Sequence, residues 1–134
     1  MPIDGHLNAD DLEYVWNEEF EKDFGLSIKY PSDGVLQDVH WSEGLFGYFP
    51  TYSLGNVYAG CLFEAMQNQL PSLNKNLKIG NLSEATEWLS SSVHQHGSLY
   101  SPIELIRDAS GSEITAKPLI SYIEKKYSSI YCLG

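Results

Sequence analysis

The chain has 134 residues, enough for one domain burying roughly two-thirds of the surface its unfolded form exposes. A hydrophobic share of 43% and a charged share of 19% belong to a globular protein and exclude intrinsic disorder. Acids outnumber bases 18 to 8, giving a net charge of −10, so nucleic acids and anionic membrane surfaces would be repelled.

At the N-terminus, Met1 to His6 lacks the basic and apolar regions of a signal peptide, and a cytoplasmic location is the expectation. Leu12, Val15, Trp16, Phe20 and Phe24 then recur at helical spacing. This predicts a first helix over about residues 11–24, with Asp10 as N-cap, Glu13 reaching back and Gly25 as the stop. Leu26 to Tyr30 reads as extended, and Pro31-Ser32-Asp33-Gly34 as a turn. Val35 to Trp41 has no clean period.

A clear helix follows, with Pro50 in its first turn and Pro71 at its end. Leu54, Val57, Tyr58, Cys61, Leu62, Ala65, Met66 and Gln69 trace one of its faces. Gly55, Ala59 and Gly60 remove bulk and predict the close approach of another backbone. The apolar run from Leu45 to Phe63 is broken by glycines, Pro50 and Asn56, so no membrane span is expected. Cys61 reads as a buried inert thiol and Cys132 as a terminal one, rather than as a disulfide.

Leu73 to Ile79 reads as a short turn. Asn81 is the predicted cap of a third main helix, with Glu84 as box partner, Ala85, Trp88, Leu89 and Val93 inward, and His96-Gly97 at its close. Ser101-Pro102-Ile103-Glu104 announces a capping box for a helix carrying Ile103, Ile106 and Ala109 and ending at Ser110-Gly111. A last helix over about residues 117–127 would turn Leu119, Ile120, Ile123 and Tyr127 inward. No window alternates like a strand, and the fold class is all-α.

The search for chemistry mostly fails. No H-E-x-x-H occurs among His6, His40, His94 and His96, and His94 and His96, two apart on a helix, point in different directions. No G-x-S-x-G elbow or phosphate loop exists, and the pairs Asp10-Asp11 and Glu18-Glu19 read as solvated charge. One stretch differs: Gly34 to Tyr52, GVLQDVHWSEGLFGYFPTY, sets Gln37, Asp38, His40, Trp41, Tyr48 and Tyr52 among glycines without a core period. Asp38 is near enough to orient the His40 imidazole, and imidazole and phenol hydrogens suit a peptide carbonyl or oxyanion. A binding site is the favoured reading of the stretch, and a structural knot competes with it.

GVLQDVHW matches the G-x-x-Q-D-x-H-W signature of the carboxypeptidase Taq family of zinc metallocarboxypeptidases. DLEYVWNEEF resembles that family's D-L-P-x-x-W-N segment, with Glu13 in place of proline. GYFPTYSLGN, EWLSSSVHQHGSLYSPIELI, ASG and ISYIEKKY are similar to its later stretches. The resemblance implies a helical peptidase with a deep groove that removes single residues from peptide C-termini. It also implies zinc or cobalt on H-E-x-x-H plus a downstream glutamate, and homodimers.

H-E-x-x-H, the third metal ligand and the substrate-carboxylate motif I-R-x-x-A-D all precede the signature in the family, and this chain lacks them. The resemblance therefore implies that residues 1–134 form a single C-terminal region with no metal ligands of its own. Such a piece would be an excised domain, a split-gene product or a degraded remnant, inactive until the missing upstream half is supplied. Ile106-Arg107-Asp108-Ala109 imitates the arginine motif with the alanine one position early, and Arg107 reads as a surface residue. By the resemblance His40 and a tyrosine, Tyr48 as first choice with Tyr52 left open, contact substrate or stabilise the tetrahedral intermediate. Gln37, Asp38, Trp41 and Tyr52 make up the substrate-binding set, with Asp38 orienting His40 and Trp41 packing. The alternative is a stand-alone peptide- or partner-binding module, or a remnant without catalysis.

Overall fold

The computed structural model describes residues 7–133; Met1 to His6, where no signal peptide was expected, and Gly134 lie outside the described residues. Six α-helices and several 3-10 turns make up the described residues, with no strand among them, as the all-α expectation requires. The chain divides into two compact units, one up to Phe49 and one from Pro50 onward.

In the first unit, helix α1 spans Leu12–Phe24 and follows a 3-10 turn at Ala9–Asp11. Asp10 falls inside that turn rather than capping the helix, because the chain tightens a turn earlier than helical periodicity can report. The predicted stop holds: Gly25 is left-handed, at φ 66°, and its N–H reaches the Glu21 carbonyl. Leu26 to Tyr30 has no regular structure, so the extended reading finds no partner strand. Three 3-10 turns follow, Pro31–Asp33, Val35–Gln37 and Val39–Glu43, and account for the absence of any clean period there.

Gly34 joins the first two turns against α1. A Cβ there would stand 3.0 Å from Ile28 carbons and 3.1 Å from the Asn17 side-chain oxygen, so a larger residue would have to push both side chains aside.

The second unit holds α2 (Pro50–Gln69), α3 (Leu73–Lys78), α4 (Ser83–Ser92), α5 (Pro102–Ser110) and α6 (Lys117–Tyr131). Its core is Ala65 and Met66 of α2, Leu73 of α3 and Trp88 of α4, with Leu62, Phe63, Leu70, Leu77, Ala85, Leu89 and Ala109 packed around them. Leu73, only 2% exposed, makes α3 a helix where a turn was expected: its burial draws the segment against α2. The Trp88 indole N–H donates to the Gln69 side chain at 2.8 Å, which satisfies the donor that burial would otherwise orphan. Glu84 does not box α4. Its carboxylate accepts from the Ser72 hydroxyl and the Asn76 amide instead, while Asn81 accepts from the Ser83 N–H.

α5 and α6 both pack on α2. At α5 the Ser101 and Glu104 capping box forms as the sequence indicates, and Gly111 closes the helix in the left-handed region. The close approach expected from the small residues of α2 occurs at Gly60, where a Cβ would meet the Leu119 backbone nitrogen at 2.9 Å. Gly55 faces open space, so its bulk is not removed for packing. α6 runs to Tyr131, further than its pattern showed, and buries none of its residues. Ile120, Ile123 and Tyr127, expected inward, are exposed; Leu119 alone of that set is half-buried, because α2 meets only one strip of the helix. Cys61 is buried and Cys132 exposed, both as free thiols. No helix among the described residues is long and apolar enough to cross a membrane.

Candidate functional site

The Val39–Glu43 turn positions the residues singled out from the signature. Asp38 precedes it with a side chain that accepts the His40 backbone N–H at 3.2 Å, capping the turn. The same oxygen lies 2.8 Å from His40 Nδ1. Asp38 is the buried charged residue of the described chain, at 6% exposure, so its carboxylate holds the imidazole away from competing water. Two bonds from one oxygen to a backbone and a ring two residues on fix where the ring stands. Gly44, left-handed at φ 71°, then turns the chain back, and Leu45 N–H donates to the His40 carbonyl.

Aromatic rings frame the imidazole. Tyr48 lies 4.8 Å from it between ring centres, and Phe49 5.9 Å, both tilted. On the other side of the turn, Trp41 meets Trp16 of α1 edge-to-face at 6.3 Å. The Trp16 ring nitrogen and the Asn17 side-chain oxygen are buried without a hydrogen-bond partner. Gln37 is exposed and its side-chain amide donates to the Ser32 carbonyl, tying the first two 3-10 turns together.

The structure thus gathers Asp38, His40, Trp41 and Tyr48 around one turn, with Gln37 bracing the turns before it. Tyr52 lies in the first turn of α2, in the second unit, and is exposed. Phe49 and Trp16 were missed as neighbours of the site. Phe49 stands just before Pro50, where the sequence marks only a helix entry; Trp16 was assigned to a periodic face of α1. Neither position carries a signal that it would meet the signature residues.

His94 and His96 sit in a 3-10 turn, with the His96 ring against Tyr100 at 5.6 Å. Arg107 is at the surface, paired with Glu113 at 3.2 Å, and reads no buried carboxylate. Among the described residues no group of three or more His, Cys, Asp or Glu side chains is placed to hold a metal ion. The Asp38 and His40 pair does not substitute for one, since it offers two groups already bonded to each other.

A family profile described as Carboxypeptidase Taq (M32) metallopeptidase matches residues 2–127. Carboxypeptidase 1 of Bacillus subtilis (strain 168) is 39% identical over 127 residues, covering 95% of this chain and 25% of the relative. Thermostable carboxypeptidase 1 of Thermus thermophilus gives the same figures, 39% over 127 residues, with 95% and 25% covered. Among solved structures, the M32 carboxypeptidase from Deinococcus radiodurans R1 superposes with a TM-score of 0.89 at 34% identity, over 98% of this chain and 27% of that one. Trypanosoma cruzi metallocarboxypeptidase 1 superposes with a TM-score of 0.86 at 34% identity, over 93% and 26%. The chain therefore spans about a quarter of the length of the curated relatives it matches. With the signature turn built as described and the match running nearly end to end, this chain belongs to the carboxypeptidase Taq (M32) metallopeptidase family.

Proposed function

We propose that this chain supplies one wall of the substrate groove in a metallocarboxypeptidase that removes C-terminal amino acids from peptides. The observation that carries this is the 2.8 Å bond between the buried Asp38 carboxylate and His40 Nδ1. With Nδ1 given to the carboxylate, the chemistry falls to Nε2 across the ring. In its cationic form the ring donates that proton to the scissile carbonyl oxygen as the oxygen gains charge. Tyr48, tilted against the same ring at 4.8 Å between centres, brings a phenolic hydrogen to the same oxygen. Trp41 packs behind the turn, and Gln37 holds its approach.

The zinc or cobalt ion of the family resemblance is not accommodated by the described residues, and it belongs with the upstream part that carries H-E-x-x-H. In this reading the chain alone binds without turnover. Together with that part it works on peptides, in a homodimeric enzyme of the cytoplasm.

The test is a chimera in which this chain replaces the matched region of Bacillus subtilis carboxypeptidase 1. The chimera is expected to release C-terminal residues, and His40→Ala in it to lower kcat by about a hundredfold or more with little change in Tm. Full activity in His40→Ala would remove the imidazole from catalysis.

A further inference from the structure

Ile120, Ile123, Tyr127 and Ile130 of α6 are each 42 to 57% exposed. Their spacing of three, four and three is the a/d pattern of a heptad repeat. Single apolar residues on a surface are ordinary, but four in one seam at this period form the face that one helix offers another. α2 uses a neighbouring strip: Leu119 stands against Gly60, and Tyr122 meets Phe63 edge-to-face at 6.0 Å. The seam is short, below the three or four heptads of an autonomous coiled coil, so a helix lying on it has to be held by other contacts as well.

Two observations say what kind of helix. Lys117 and Lys126 against Glu124 leave the rim of this seam net cationic within a chain of net charge −10, while Lys125 lies on the α2 side with Gly60 and Glu64. A second copy of α6 would bring like charges alongside, whereas a helix with carboxylates beside its apolar stripe is complementary. In addition, the relatives carry about three-quarters of their length beyond the region that this chain matches. We propose that the Ile120 to Ile130 seam seats an amphipathic, acid-flanked helix from that remaining part of the enzyme. This rests on the reading of the chain as part of a peptidase, and it fails separately from it.

The experiment places Ile123→Glu with Ile130→Glu both in the isolated chain and in the Bacillus subtilis chimera. Exposed positions tolerate the change in the isolated chain, while the chimera loses about 5 °C or more in Tm. Three results overturn the proposal: an unchanged chimera, an equal loss in the isolated chain, or a dimer of the isolated chain in sedimentation that the variant abolishes. Should the chimera not fold, the upstream region of the same relative is produced as a separate polypeptide and mixed with this chain. A one-to-one complex that the variant breaks supports the seat, and no complex, or one the variant leaves intact, overturns it. Activity of the chimera and its dependence on His40 are read independently, so the groove assignment stands or falls on its own.

Discussion

Asp38 has two duties through one oxygen, and they separate by substitution. Asp38→Asn keeps the shape and an acceptor for the His40 backbone N–H, so the turn should persist. The amide no longer holds the imidazole as a carboxylate does, so kcat of the chimera should fall toward that of His40→Ala while the near-ultraviolet dichroism of Trp41 and Trp16 stays put. Loss of that dichroism alongside activity would make Asp38 structural first. The pair itself was legible in the sequence, because a two-residue spacing is closed by any tight turn. Its aromatic surroundings were not: Trp16 comes from α1, and the period that puts it on the apolar face does not say which distant ring it will meet.

Among the elements, α2 contains its own control experiment. Gly60→Ala sets a methyl into the Leu119 backbone, which cannot swing aside, and should cost about 1–3 kcal/mol. Gly55→Ala in the same helix meets open space and should stabilise by about 0.5–1 kcal/mol. Urea midpoints of the two variants should move in opposite directions; a shared direction would mean the α2 and α6 crossing is looser than described. α5 tests its cap by pH. The Ser101 hydroxyl, followed by the Ser101 backbone N–H, holds the Glu104 carboxyl below its ordinary range. A depressed acid stabilises the folded form above its unfolded value and loses that contribution as pH falls through the folded one. Protection factors of amides in the first turn of α5, taken relative to the intrinsic exchange rate at each pH, should therefore fall on acidification, and Glu104→Gln should flatten that response. Start signals such as Ser101-Pro102 were readable because the chemistry is local. The α1 start misled because Asp10 falls inside a 3-10 turn, and the α4 start because Glu84 bonds Ser72 and Asn76 instead. The solvent side of α6 escaped because periodicity shows an apolar stripe without naming what faces it.

For the whole molecule the apolar balance is unusual. Among the described residues the buried hydrophobics are Val35, Cys61, Ala65, Met66, Leu73, Trp88 and Ile106, while Phe46, Leu36, Tyr30, Leu99 and others of that size lie open. With so little core, Leu73→Ala should cost about 2–5 kcal/mol, enough to unfold the second unit at room temperature. Loss of helical dichroism would show it, and a folded variant would mean the core is larger than the buried set. The open apolar surface also predicts dye binding and weak association at high concentration, spread over several faces and thus insensitive to any single one.

The Gly60 and Leu119 crossing has a consequence for the order of events in the cell. Its halves are separated by nearly half the chain, so during synthesis α2 waits with Gly60 bare until α6 has been made. A contact of such long sequence separation forms late and leaves an apolar helix accessible to chaperones in the interval. Slowing translation between the codons of Ser72 and Lys117 should therefore lower the soluble yield.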